Sequence, residues 1–153
     1  MPDATVSQLL FFALHDDVSA VDARLLRHYE RELRPLSQTV RAWVLLHSPS
    51  EPDNAPRLAN WRALGTPVFP WRREDVFSLY PRLAEAFRSS DAVRDWQRRG
   101  EPQYMTDHFF FHASLAVWFA AHGHAFPAVS HVWRFEPDAL FAGGLDALMA
   151  WLS

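Results

Sequence analysis

Two carboxylates separated by one proline, Glu136-Pro137-Asp138, directly follow the apolar segment SHVWRF at 130–135. If that segment is a strand, residues two apart leave it on the same side, so Glu136 and Asp138 would converge on one cation. Pro137 stiffens the backbone between them and removes one amide donor. Carboxylate oxygens suit hard divalent ions such as Mg²⁺ or Mn²⁺, which often take one or two carboxylates together with phosphate oxygens. Gly143 and Gly144 follow shortly after and would let the backbone approach a ligand closely. The competing reading is a solvated turn that ends a strand. With 18 acidic residues in 153, chance alone supplies about two such pairs.

The chain contains its own controls. Glu30-Arg31-Glu32 falls in a helical pattern, where positions two apart do not share a face. Glu51-Pro52-Asp53 repeats the triplet letter for letter, but inside the breaker-rich loop SPSEPDNAP, and reads as a turn. The copy at 136–138 differs in what precedes it, because ligands in open α/β sheets bind beyond the carboxyl ends of strands.

Histidine offers a second chemistry. His108 and His112 are spaced i, i+4, on one face of a helix, and His122-Gly123-His124 closes the same segment. Such a pair would ligate zinc, with Asp107 nearby, but HFFFH lacks the glutamate of H-E-x-x-H. Histidines flanking three phenylalanines also suit a helix boundary packed beside the core. Trp61, Trp71 and Trp133 are candidates for stacking on a sugar. Of these, Trp71 beside Arg72-Arg73 reads either as a surface binder or as an ordinary exposed-loop residue, and Trp133 as core. Asp16-Asp17 either touches a nucleoside or simply ends a strand near a helix N-terminus. Arg94, Arg98 and Arg99 read as a solvated face. Neither a G-x-G-x-x-G nor a Walker-type phosphate loop occurs, and no G-x-S-x-G serine motif.

The elements that must position these residues follow from periodicity. Residues 8–15 read as a buried strand ended by Asp16-Asp17. Ser19 with Asp22 reads as a helix N-cap, and apolar positions from Val21 to Leu36 recur at helical spacing until Pro35. A second buried strand is predicted at 41–47, a loop at 48–56 and a short strand at 67–69. The Arg-rich stretch 80–100 is expected to be helical in pieces, including 81–88. A mostly buried helix follows from Thr106, with Gly123 as its stop. The last strand is placed at 130–135 and a terminal helix at 145–152. This order predicts an α/β fold: a three-layer, open, mostly parallel sheet with crossover helices, a Rossmann-like half, in one domain spanning 1–153.

Bulk properties bound the function. The net charge of −3 and pI near 6.2 argue against general nucleic-acid binding. All basic residues are Arg, with Lys, Ile and Cys absent, a bias that GC-rich codons explain. Without Cys, disulfides and thiolate metal sites are excluded. The apolar run LLFFAL at 9–14 lacks a basic flank and is too short for a signal core or a membrane span.

The string Trp133-Arg134-Phe135-Glu136-Pro137-Asp138 resembles the acidic motif of GT-A-type glycosyltransferases, and is most similar to the Trp-Arg-x-Glu-Pro-Asp of the fungal Golgi mannosyltransferase type. The resemblance implies that Asp138 is the main ligand of Mn²⁺ or Mg²⁺. Glu136 would contact the metal, directly or through water, or the ribose. The ion would bind the diphosphate of a nucleotide sugar. The strand–helix–strand opening would form the nucleotide-binding half, with His15 and Asp16 near the nucleoside by topology. Arg134 would lie beside the nucleotide, and Gly143 and Gly144 beside the substrate. The resemblance also implies a Golgi or secretory setting for a longer, anchored precursor. In such folds an acceptor-binding half follows the motif, whereas this chain stops fifteen residues after Asp138. The expectation is a donor-binding half that a partner chain or further segment would complete. Two alternatives stand beside it: a non-catalytic α/β binding module, and a His-rich metal-binding protein.

Overall fold

The computed structural model describes residues 5–14, 19–48, 55–100, 110–135, 144 and 147–148. Four strands, β1 (Gln8–Leu14), β2 (Val40–His47), β3 (Val68–Trp71) and β4 (His131–Phe135), form one parallel sheet in the order β3-β2-β1-β4. Every residue of β1 is buried. A central parallel strand is covered on both faces, so a continuous apolar run replaces alternation. β3 is short and contains Pro70, which an edge strand tolerates because one row of its backbone groups faces away from the ladder.

Helix α1 (Ala20–Leu33) connects β1 to β2, and α2 (Ala55–Arg62) connects β2 to β3. The Ser19 hydroxyl accepts from the Asp22 N–H, and the Ser19 N–H donates to the Asp22 carboxylate, both at 3.0 Å. This reciprocal box fixes where α1 begins. A one-turn 3₁₀ segment, Arg34–Leu36, ends it at Pro35. The return from β3 to β4 runs through α3 (Arg73–Leu79), α4 (Pro81–Ser89), α5 (Asp91–Arg98) and α6 (Phe111–His122).

The two crossovers toward β3 step in one direction across the sheet, and the return to β4 steps in the other. Right-handed crossovers therefore place their helices on opposite faces. The two cores follow this division. Leu10, Phe12 and Leu14 pack with Leu26, Tyr29, Leu33 and Trp61 on the α1–α2 face. Leu9, Phe11 and Leu45 pack with Trp71, Val76, Phe110 and Trp118 on the α3–α6 face. The result is the three-layer, open α/β sheet expected from the sequence.

Two helices arise where none was expected. The loop expected at 48–56 gives way to α2 at Ala55, with Pro56 in its first turn, where a missing amide costs nothing and the fixed φ favours the helix. α3 is a short amphipathic segment between arginines, and the Arg72 N–H donates to Asp75 Oδ2 at 2.7 Å at its start. Gly65 turns the chain from α2 toward β3 with φ of 100°, a conformation that favours glycine. Gly123 does follow α6, but at φ −56° it continues into a 3₁₀ turn, not a left-handed stop. Its glycine meets a need for space, since a Cβ there would lie 3.0 Å from Phe119 Cδ1.

Candidate functional site

All four strands point their carboxyl ends at one edge of the sheet, where the chain leaves Leu14, His47, Trp71 and Phe135. The crossovers reverse direction between β1 and β4, so their paired ends form the topological switch point. Phe12 pairs in register with Phe135 there. Splayed connections at such a point leave a crevice, the usual ligand position of doubly wound sheets.

Arg134 lies in this region. It is in register with Phe11, whereas Trp133 pairs with Leu10 and Phe135 with Phe12, so Arg134 emerges on the α6 face. Its Nη1 donates to Nδ1 of His112 at 2.6 Å. His112 belongs to the first turn of α6, which runs back across the sheet and brings its N-terminal end to the carboxyl edge. The guanidinium is therefore held between a strand end and a helix start. Trp133, on the opposite face, donates from Nε1 to Gln8 Oε1 at 3.0 Å and ties β4 to the beginning of β1.

A second cluster occupies the ends of β2 and β3. The His47 ring is 1% exposed and packs against Trp71 with centroids 4.8 Å apart. Arg57, from the first half of α2, donates through Nη2 to the His47 carbonyl. The Ser48 N–H donates to the Trp71 carbonyl at 2.9 Å. These contacts bind a strand end, a helix and the neighbouring strand into one rigid corner of the edge.

Of the residues singled out in the sequence, Glu136, Asp138, His15, Asp16 and Gly143 lie outside the described residues, as do His108 and the control triplet Glu51-Pro52-Asp53. Gly144 is half-buried, and its carbonyl accepts from the Leu148 N–H at 3.2 Å, within a stretch where Ala147 and Leu148 are helical. Leu148 packs against the α1–α2 core. Trp71, expected at the surface, is 1% exposed and Trp61 likewise. Both are core residues, because the apolar face of a short edge strand and the inner face of α2 have nowhere else to bury them. Glu30 and Glu32 diverge as their spacing requires: Glu30 accepts from the Thr66 hydroxyl at 2.5 Å, and Glu32 lies 3.3 Å from His28. Arg94 and Arg98 form surface pairs with Asp91 and Asp95.

The histidines of α6 separate. His122 stacks on Trp43 at 5.3 Å and meets Phe69 edge-on at 5.4 Å, inside the aromatic core. His112 sits ten residues earlier, about 15 Å along the helix axis, so the two cannot share an ion. Among the described residues, no three His, Asp or Glu side chains gather as metal ligands. Among them also, no helix is long and apolar enough to cross a membrane.

Sequence reasoning missed His47, Arg57 and the partnership of His112 with Arg134. A histidine closing a predicted strand is a signal that was available for the first. The other two depend on which helix crosses which strand, and local spacing does not carry that information. It also missed an open cleft of about 760 Å³ between the α3–α4 junction and α6, lined by Leu79, Tyr80, Leu83, His112, Ala113 and Ala116 among others. Comparison with models of protein families, with curated proteins and with solved structures finds no match to this chain.

Proposed function

We propose that the chain is the donor-binding half of a GT-A-like glycosyltransferase, taking a nucleotide-diphosphate sugar through a divalent metal at the β1/β4 switch point. The observation that carries this reading is the all-parallel strand order β3-β2-β1-β4, which sets the ends of β1 and β4 side by side. The two segments singled out for nucleotide and metal, His15-Asp16 and Glu136-Pro137-Asp138, continue the chain from those two ends. Alternation would carry the face of Arg134 on to Glu136 and Asp138 as the chain leaves β4.

The donor set is carboxylate oxygen, which fits Mn²⁺ or Mg²⁺ better than softer ions. Bound there, the ion would neutralise the diphosphate and act as Lewis acid toward the leaving group. Arg134, already oriented by His112, would add a cation beside the phosphates, which matters in a chain without a glycine-rich phosphate loop.

The test is calorimetric titration of UDP and GDP, with and without Mn²⁺, into wild type and Asp138→Asn. The expected result is binding that needs the metal and is lost in Asp138→Asn, with one base preferred. Binding indifferent to metal and to the substitution, or none to the folded protein, would return Glu136-Pro137-Asp138 to a strand-ending turn. The chain would then be a non-catalytic α/β module.

A further inference from the structure

The cleft between the α3–α4 junction and α6 combines features that a solvent-facing surface seldom keeps. Leu79, Tyr80 and Leu83 are each roughly two-fifths exposed, and all three line it. Among the described residues the remaining exposed large hydrophobics are Val21 and Val132, which lie elsewhere. Opposite them α6 presents the small apolar side chains of Ala113 and Ala116. The volume of about 760 Å³ lies in the range of small-molecule sites, roughly 300–1,000 Å³. Leaving this much apolar surface wet is unfavourable, and burying it under an apolar ligand would be favourable in proportion to area.

Among the described residues the rim carries one formal charge, that of Arg82. Arg82 lines the cleft and makes no hydrogen bond or ion pair among the described residues, whereas Arg72, Arg73, Arg94 and Arg98 on the same run of helices each lie beside a carboxylate. His112, backed by Arg134, closes the other end. The Tyr80 hydroxyl is likewise without a hydrogen bond among the described residues. An apolar floor bounded by an uncompensated guanidinium and a phenol complements one kind of small molecule.

We propose that this cleft binds a single-chain anionic amphiphile, an alkyl or aryl chain bearing one carboxylate-like head. The chain lies on Leu79, Leu83, Ala113 and Ala116, and the head pairs with Arg82. The groups that hold the chain and the head are separate from the metal and nucleotide set, although the cleft borders His112, which meets Arg134.

The experiment is titration of decanoate into the full chain below its micellar range, followed by calorimetry and by methyl resonances of Leu79 and Leu83. Decyltrimethylammonium serves as the cationic counterpart, and phosphatidylglycerol vesicles as the membrane alternative. Decanoate is expected to bind and to shift those methyls. Arg82→Ala should weaken it by about tenfold or more, the loss typical of a charge-assisted hydrogen bond. Leu83→Ser should weaken it comparably by removing floor. Both positions are exposed, and circular dichroism with a thermal melt verifies that each variant is folded. The proposal is overturned by no decanoate binding to folded wild type, by equal affinity for the cationic amphiphile, or by binding to vesicles alone. Affinity unchanged in both variants also overturns it, because the ligand would then sit elsewhere.

Discussion

The two ends of α6 treat the same residue type in opposite ways. At its C-terminal end His122 stacks on Trp43 and faces Trp118 and Phe69, part of an aromatic core under the sheet. At its N-terminal end His112 is exposed, accepts from Arg134 and borders an open cleft. His122 thus sits among rings beneath the sheet, while His112, among the described residues, is exposed beside Arg134 and the cleft. In a parallel sheet that asymmetry is expected, because crossovers converge at the carboxyl edge and ligands are taken there. Histidine thus packs among rings at one end and hydrogen-bonds an arginine at the other, and its neighbours decide which.

Three substitutions test this contrast. Trp118 is fully buried between the two ends and meets Phe11, Trp43 and Phe126. Trp118→Ala should cost about 3–5 kcal/mol in urea unfolding, and a loss below about 1 kcal/mol would mean that this face is not close-packed. His122→Ala removes one stacked ring and should cost about 1 kcal/mol. The nucleotide titration should stay unchanged, and a parallel fall in nucleotide affinity would erase the contrast between the ends. His112→Ala should cost the least stability, under about 1 kcal/mol for one exposed hydrogen bond. It should nevertheless weaken metal-dependent nucleotide binding several-fold by releasing Arg134. A double cycle with Arg134→Ala separates the pair from its parts. No coupling in binding would show that the hydrogen bond positions nothing.

Much of the architecture was legible because it rests on local chemistry. The run LLFFAL reads as a buried strand, as β1 proves to be, and the Ser19–Asp22 box fixed the start of α1 through bonds made within four residues. α2 and α3 were not legible, since short helices draw their stability from packing more than from propensity. Pro56 also reads as a breaker unless its place in a first turn is known. Trp71 was misplaced for a related reason. Its arginine neighbours point to the surface, but β3 turns its ring inward against His47.

The sequence by itself determined the α/β class, the two buried strands, the Ser19 cap of α1 and the absence of thiol chemistry, because each follows from composition, from local capping chemistry or from runs of apolar residues. It also singled out Glu136 and Asp138 as the residues whose type and spacing fit a hard cation. Tertiary structure decided the order β3-β2-β1-β4, and with it which strand ends are neighbours. It paired Arg134 with His112 across 22 residues, separated His112 from His122, and opened the cleft beside Tyr80 and Arg82. The physical reason is the direction of the crossovers. A right-handed connection fixes the face on which a helix lies once its destination is known, and no local spacing encodes whether the chain after β3 goes outward or returns past β1.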